Sequence, residues 1–315
     1  MSAFSSMILD RSNGGGPFRT LVGHQGTVLC IRFSRTGAYC LTGGKDRSVR
    51  LWNPTRGTLV AEYTGGHAHD VRSVACSGAN DRIASCGGDR QVFLYDVQTG
   101  RIVRKFRGHD ARNVNAVSFA DKASDSVVFS GGYDATVRAW DCRSSSIDAI
   151  QVLKDFKDSV TSLVVHEYDV IAASVDGSVR TFDVRTGEVV TDTLGPPVTC
   201  VNLSSDAQCI LAGLLESKIA LLDRGSGELL AQYKGHANRQ FKVESLLTHD
   251  DAYVVSGSED GKVYFWDLVE SEIAESVQVN PSGAAAAALA WHPQGDCLVT
   301  AEAKGDVHVW KCAAQ

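Results

Sequence analysis

Four histidine–aspartate pairs are the first residues in this chain of 315 that could do chemistry. They are His24 with Asp46, His67 with Asp89, His109 with Asp134 and His236 with Asp260, spaced 22 to 25 residues apart. A hydroxyl falls inside each interval, at Thr42, Ser85, Ser130 and Ser256. Imidazole and carboxylate side chains are the usual carriers of general acid–base catalysis. An active site needs one such set, however, and this chain has four in similar register. Repetition of that kind points to architecture.

Other chemical candidates are weaker. Gly257-Ser258-Glu259-Asp260-Gly261-Lys262-Val263 approaches a phosphate-binding loop. It is one residue short between the glycines, and Val263 stands where a magnesium-holding hydroxyl belongs. Gly14-Gly15-Gly16 follows no strand pattern, and His249-Asp250-Asp251 lacks further ligands at metal spacing. The nine cysteines include no C-x-x-C pair, so they read as free, mostly buried thiols in a reducing compartment. The sequon Asn202-Leu203-Ser204 sits within an apolar alternation, as an unmodified strand would. No catalytic, cofactor or metal site is expected.

Composition is that of a globular protein, with 43% hydrophobic and 22% charged residues. The net charge of −6 lacks the basic footprint of strong DNA binding, although it leaves room for a local RNA contact. No apolar run approaches the roughly 20 residues that span a bilayer. Met1 to Gly16 does not read as a secretory signal, because Asp10 interrupts any apolar core.

The elements that hold these residues are repeats. Trp52, Tyr95, Trp140, Phe182, Leu222, Trp266 and Trp310 stand roughly 40–45 residues apart, the period of a four-stranded propeller blade. Six residues before each lies Asp46, Asp89, Asp134, Asp176, Glu216, Asp260 or Lys304. Gly-His pairs occur upstream at His24, His67, His109 and His236, followed by apolar triplets such as Val28/Ile31/Phe33. These landmarks resemble those of the WD-repeat family over residues 17 to 312.

The resemblance implies an all-β fold, a seven-bladed propeller. Residues 1–16 are then a flexible tail, 17–312 the propeller and 313–315 the end of the chain. Phe18 to Val22 has no blade of its own and should supply the outer strand of the last blade, whose third strand is Val307 to Lys311. WD-repeat blades typically bury a hydrogen-bonded His, Ser/Thr, Asp and Trp. The full sets here are His24/Thr42/Asp46/Trp52, His109/Ser130/Asp134/Trp140 and His236/Ser256/Asp260/Trp266, with His67/Ser85/Asp89 beside Tyr95 in blade 2. Blades 4, 5 and 7 are expected to lack the network and to rely on apolar packing, with Ala172 and Ala212 replacing the hydroxyl in two of them.

Function is then expected on loops. The candidates are Lys45, Arg47, Arg90, Arg112, Tyr133, Asn238, Arg239, Phe241, Glu259 and Lys304, around one mouth of the channel. The blade 6 loop is longer than that of blade 1 and should display Asn238, Arg239 and Phe241, types favoured at interface hot spots. The basic run Arg101 to Arg107 reads as an outer edge strand blunted by charge. Segments such as Gly227-Glu228-Leu229-Leu230-Ala231-Gln232-Tyr233-Lys234-Gly235-His236 further resemble the mitogen-activated protein kinase organizer group of small seven-bladed scaffolds.

That resemblance implies a monomeric, non-enzymatic adaptor in larger protein assemblies. Its partners would be spliceosomal factors, kinases of the extracellular-signal-regulated cascade, or both, in cytoplasm and nucleus. A different class of function also fits one motif. Trp140-Asp141-Cys142-Arg143 has the W-D-x-R ending that marks some substrate receptors of cullin-4 ubiquitin ligases, and Phe182-Asp183-Val184-Arg185 repeats part of it. Arg143 and Arg185 would then contact the ligase adaptor.

Overall fold

The computed structural model of the chain describes residues 8–10, 16–120, 125–280 and 282–313. Among them are 28 strands and no helix, arranged as seven antiparallel sheets of four strands. Six sheets are consecutive meanders. The first runs Val28–Phe33, Cys40–Gly44, Val49–Asn53 and Thr58–Tyr63, from the channel outward. The inner strands of neighbouring sheets pack against one another around the ring. This is the seven-bladed propeller that the repeat implies.

Each second strand is buried on both faces, which explains why it is built of apolar and small residues. Successive side chains point to opposite faces of the sheet. Cys40 therefore joins Val299 and Val309 of the last blade, whereas Leu41 joins Val74 and Phe93 of blade 2. The same alternation sends Val128 toward blade 2 and Phe129 toward blade 4. Among the described residues the apolar side chains gather in seven clusters, one at each boundary between blades.

The ring closes as expected. Arg19–Leu21 is the outer strand of the last blade, with Arg19 opposite Val309 and Leu21 opposite Val307. Leu21 is 1% exposed and packs with Trp52 and Val307. The tail is less free than the sequence suggests. Leu9 pairs with Cys312, is 1% exposed, and joins the cluster between blades 6 and 7. Its neighbours are fixed by backbone bonds, Asp10 N–H to the Lys311 carbonyl at 2.8 Å and Ala313 N–H to the Ile8 carbonyl at 3.0 Å. The expectation of a flexible segment therefore gives way at residues 8–10, because an apolar side chain there finds a groove to fill. The rest of residues 1–15, and the last two residues, lie outside the described residues.

Side chains on the inner strands stitch blade to blade. Asn115 Nδ2 donates to the Val160 carbonyl at 2.8 Å, Thr161 Oγ1 to Val198 at 2.7 Å, and Asn202 Nδ2 to Ser245 at 2.7 Å. Asn202 is thus a structural donor within the strand Val198–Leu203. A charged cluster spans the channel. Glu244 of blade 6 is buried and lies 3.6 Å from Lys242 and 3.6 Å from Arg32 of blade 1. Lys242 Nζ also reaches the Thr161 carbonyl of blade 4 at 3.0 Å. Burial pushes the Glu244 carboxyl up, but Arg32 and Lys242 outweigh it and hold the group below its usual range. All nine cysteines are free thiols, six of them buried.

Two packing residues test this account of closure. Leu9→Ala and Leu21→Ala each empty a fully enclosed site, and each should cost about 2–5 kcal/mol in reversible unfolding. An unchanged unfolding midpoint for Leu9→Ala would show that residues 8–10 do not pack in solution.

Candidate partner-binding face

The turn between second and third strands carries the landmark acidic residue, and its chemistry is local. Asp46 accepts from the Ser48 amide at 3.2 Å and from the Ser48 hydroxyl at 3.0 Å, as short acidic side chains do in turns. The residue after each landmark has a left-handed backbone, from Arg47 (φ 66) and Arg90 (φ 63) to Gly177, Gly261 and Gly305. Each turn also leans on the loop that leads into its own blade. Lys45 N–H bonds the Thr27 carbonyl at 2.9 Å, Gly88 N–H bonds Asp70 at 3.0 Å, and Tyr133 N–H bonds Asn113 at 2.8 Å. These bonds place the two loop sets on one face.

Three histidines stand beneath this face as expected. His24 bonds Asp46 through Nδ1 at 2.8 Å and Thr42 through Nε2 at 2.7 Å, and the Trp52 indole donates to the same hydroxyl at 2.8 Å. His109, Asp134, Ser130 and Trp140 repeat the arrangement, and His67, Asp89 and Ser85 repeat it without the indole. The hydroxyl accepts from the indole and gives its proton to Nε2, so Nδ1–H faces the carboxylate. Burial alone would raise the Asp134 carboxyl, but His109, Thr136 and the Asp110 amide hold it at about 2. Burial also lowers the His24 pKa against the pull of Asp46. These polar groups thus bond one another inside the blade.

Blade 6 departs from the expected set. Both ring nitrogens of His236 are buried without a hydrogen-bond partner, and the ring sits edge-on to Trp266 at 5.4 Å. Its prospective partners are taken. Asp260 binds the Tyr264 hydroxyl at 2.7 Å, Ser256 binds the Ser245 hydroxyl at 3.0 Å, and the Trp266 indole donates to the Lys234 carbonyl at 2.9 Å. Tyr264 lies four residues after its aspartate. Arg50, Arg138 and Arg180 hold that position in blades 1, 3 and 4 and approach Asp46, Asp134 and Asp176. That recurring offset is legible in the sequence and marks residues our sequence analysis passed over.

The other blades also refine expectation. Blade 4 replaces the histidine with Phe156, which packs on Phe182 and lies under Arg180. Blade 7 keeps half of the network, since the Trp310 indole donates to Thr300 Oγ1 at 2.9 Å, so it does not lack it altogether.

Of the candidate binding residues, Lys45, Arg47, Arg90, Arg112, Tyr133, Arg239, Phe241 and Lys304 are exposed at this face. Asn238 is not displayed as expected: it is 1% exposed and donates to the Leu214 carbonyl at 3.2 Å. Glu259 is half-buried and committed to its own loop. One of its oxygens accepts from the amides of Arg239, Gln240 and Phe241 at 2.8, 2.6 and 2.9 Å. That clamp sets the conformation of the longer loop and presents Phe241 to solvent at 53% exposure. A hollow of about 610 Å³ lies between blades 2 and 3, lined by His69, Arg90, Gln91, Arg112 and Asn113 among others.

The opposite face carries the third-to-fourth strand turns. Arg143 bonds Asp141 at 3.1 Å and Arg185 bonds Asp183 at 2.8 Å, and both arginines are exposed. Arg185 also lies over the Tyr168 ring at 4.2 Å. A second hollow of about 710 Å³ on this side is lined by His249, Asp250, Trp291, Ile8 and Cys312 among others. The basic run is the outer strand Ile102–Arg107 of blade 2, at the rim.

His109 and His236 are expected to respond in opposite ways. His109→Phe strands Asp134 and Ser130 and should cost about 2–4 kcal/mol in chemical denaturation. His236→Phe removes two unpaired nitrogens beside Trp266 and should be neutral or stabilising. Burial lowers the His236 pKa to about 4 from 6.5, so the unfolded chain binds the extra proton between those values. Stability tied to His236 is complete above pH 6.5 and falls as pH drops toward 4, by about 3 kcal/mol. His236→Phe should flatten that part of the stability–pH curve, and an unaltered curve would refute the assignment.

Comparison with known proteins agrees with this geometry. The repeat described as WD domain, G-beta repeat matches residues 15–53, 57–96, 100–141 and 227–267. The chain is 45% identical to WD repeat domain-containing protein 83 of Rattus norvegicus, over 93% of this chain and 91% of the relative. It is 40% identical to an uncharacterized WD repeat-containing protein of Schizosaccharomyces pombe, over 90% and 94%. It is 29% identical to the WD repeat domain-containing protein 83 homolog of Dictyostelium discoideum, over 93% and 97%. With the blades, the clasp and three of the buried networks in place, the chain belongs to the WD-repeat family, alongside WD repeat domain-containing protein 83 of the mitogen-activated protein kinase organizer group.

Proposed function

We propose that the chain is a non-catalytic scaffold that assembles other proteins, acting in the splicing machinery and in the extracellular-signal-regulated kinase cascade, in nucleus and cytoplasm. The observation that carries this reading is the division of polar residues. The histidine–aspartate pairs of blades 1 to 3 are bonded inside the blades, whereas Arg47, Arg90, Arg112, Arg239 and Phe241 stand exposed at one face. Relatives of the same group share the full propeller length, which supports the same kind of role. A rigid disc that holds several clients raises their effective concentration for one another without new contacts between them.

Affinity capture of the tagged chain from its native cells, with half of the extract treated with ribonuclease, separates the two roles. Splicing factors that persist after the nuclease indicate a protein-held spliceosomal component. Dominance of cascade kinases indicates the signalling scaffold. Recovery of neither class removes the reading.

A second reading, as substrate receptor of a cullin-4 ligase, is favoured by one observation. Arg143 and Arg185 are held alike by Asp141 and Asp183 on the face opposite the exposed cations. Reversing both to Glu should abolish an adaptor complex, and a complex that survives unchanged excludes this docking mode.

A further inference from the structure

We propose that Arg47, Arg90 and Arg112 form a recognition arc for a short, carboxylate-rich segment of a protein partner. The proposal rests on the reading of this face as the partner-binding one and gives that partner a chemistry.

The first observation is charge segregation. The chain carries −6 overall, yet Lys45, Arg47, Arg90 and Arg112 crowd the turns of blades 1 to 3. None of these four makes a hydrogen bond or ion pair through its side chain among the described residues. The nearby carboxylates keep their charge but bond other groups: Asp46 to His24, Asp89 to His67, Asp70 to Arg72 at 3.0 Å, and the exposed Asp110 lies 3.9 Å from Arg138. The guanidinium groups of the arc are therefore left to pair with a ligand. The hollow lies between Arg90 and Arg112.

The second observation is backbone conformation. Arg47 (φ 66) and Arg90 (φ 63) hold the left-handed turn position that Ala135 (φ 55) and Ser217 (φ 62) hold in blades 3 and 5 and that Gly177, Gly261 and Gly305 hold in blades 4, 6 and 7. A side chain there adds strain that glycine avoids. Neither arginine recovers that strain through a contact within the protein. Two adjacent blades thus project a guanidinium from the same turn position, and guanidinium groups pair with carboxylates through two parallel hydrogen bonds.

The size and surroundings of the arc select the ligand. An RNA strand would run off the arc onto an acidic protein, whereas a short acidic peptide would fit within it. Asp70 and Asp89 also line the hollow, and they oppose a doubly charged phosphate more than a single carboxylate.

The test uses the whole chain and a fluorescent peptide of alternating glutamate and glycine, with its glutamine counterpart, read by anisotropy. The wild type should prefer the glutamate peptide, with affinity falling as salt rises. Arg47→Gly and Arg90→Gly relieve strain while removing charge, so this pair should melt no lower than the wild type. Combined with Arg112→Gln, it should lose about tenfold or more in affinity. The proposal is overturned by equal binding of the two peptides, by undiminished binding in the triple variant, or by an oligouridylate that binds more tightly than the peptide. Affinity capture run in parallel keeps the two readings apart. Partners recovered without any glutamate preference leave the scaffold reading standing and remove this one, whereas recovery of no partner removes the scaffold reading itself.

Discussion

No blade in this molecule owns a hydrophobic core. Each apolar cluster is built from two neighbouring sheets, and the second strand of every blade gives alternate side chains to the clusters on either side. A four-stranded sheet alone would leave one face wet, so the blades are stable only as a closed set. Closure is therefore the constraint from which the rest follows. It explains why the strand at Arg19–Leu21 joins the last blade, and why inner-strand amides and hydroxyls reach across to the next blade.

The same constraint sorts the polar residues into two groups. In blades 1 to 3 a histidine ties the turn to the middle of the sheet, and the turn carboxylate is satisfied inside. Residues beside the landmark are free of that duty, because their side chains leave the sheet at a left-handed bend. Side chains can therefore vary at Arg47, Arg90 and Ala135 without disturbing Asp46, Asp89 or Asp134. Across the channel, Glu244 bridges the two cations Arg32 and Lys242.

Much of this was legible in the sequence because a repeat reports its own register. The blade centres, the landmark turns and the closing strand all follow from spacing. Where the register changes, sequence reasoning failed for physical reasons. In blade 6 the residues of the buried set are all present, but Tyr264 and Ser245 compete for their hydrogen bonds, and only three-dimensional packing decides that contest. Asn238 has the composition of a displayed loop residue, yet its amide is needed to satisfy the Leu214 carbonyl. Leu9 stands outside the repeat, in a stretch rich in serine and glycine, so no periodicity marks it as buried. Which surface charges are free was not legible, because free and engaged charges look alike in a sequence.

The clasp has a consequence in time. Arg19–Leu21 is synthesised ahead of every blade, and its partner Val307–Lys311 only after the first six. Until that strand emerges, Leu21 lacks Val307 and Val309, Leu9 lacks Trp310, and the ring is an open arc with two apolar ends. Assembly of the disc is thus a test of the chain's integrity: a copy broken off before Val307 stays visibly unfinished to the cell's chaperones and proteases, whatever the state of its first six blades.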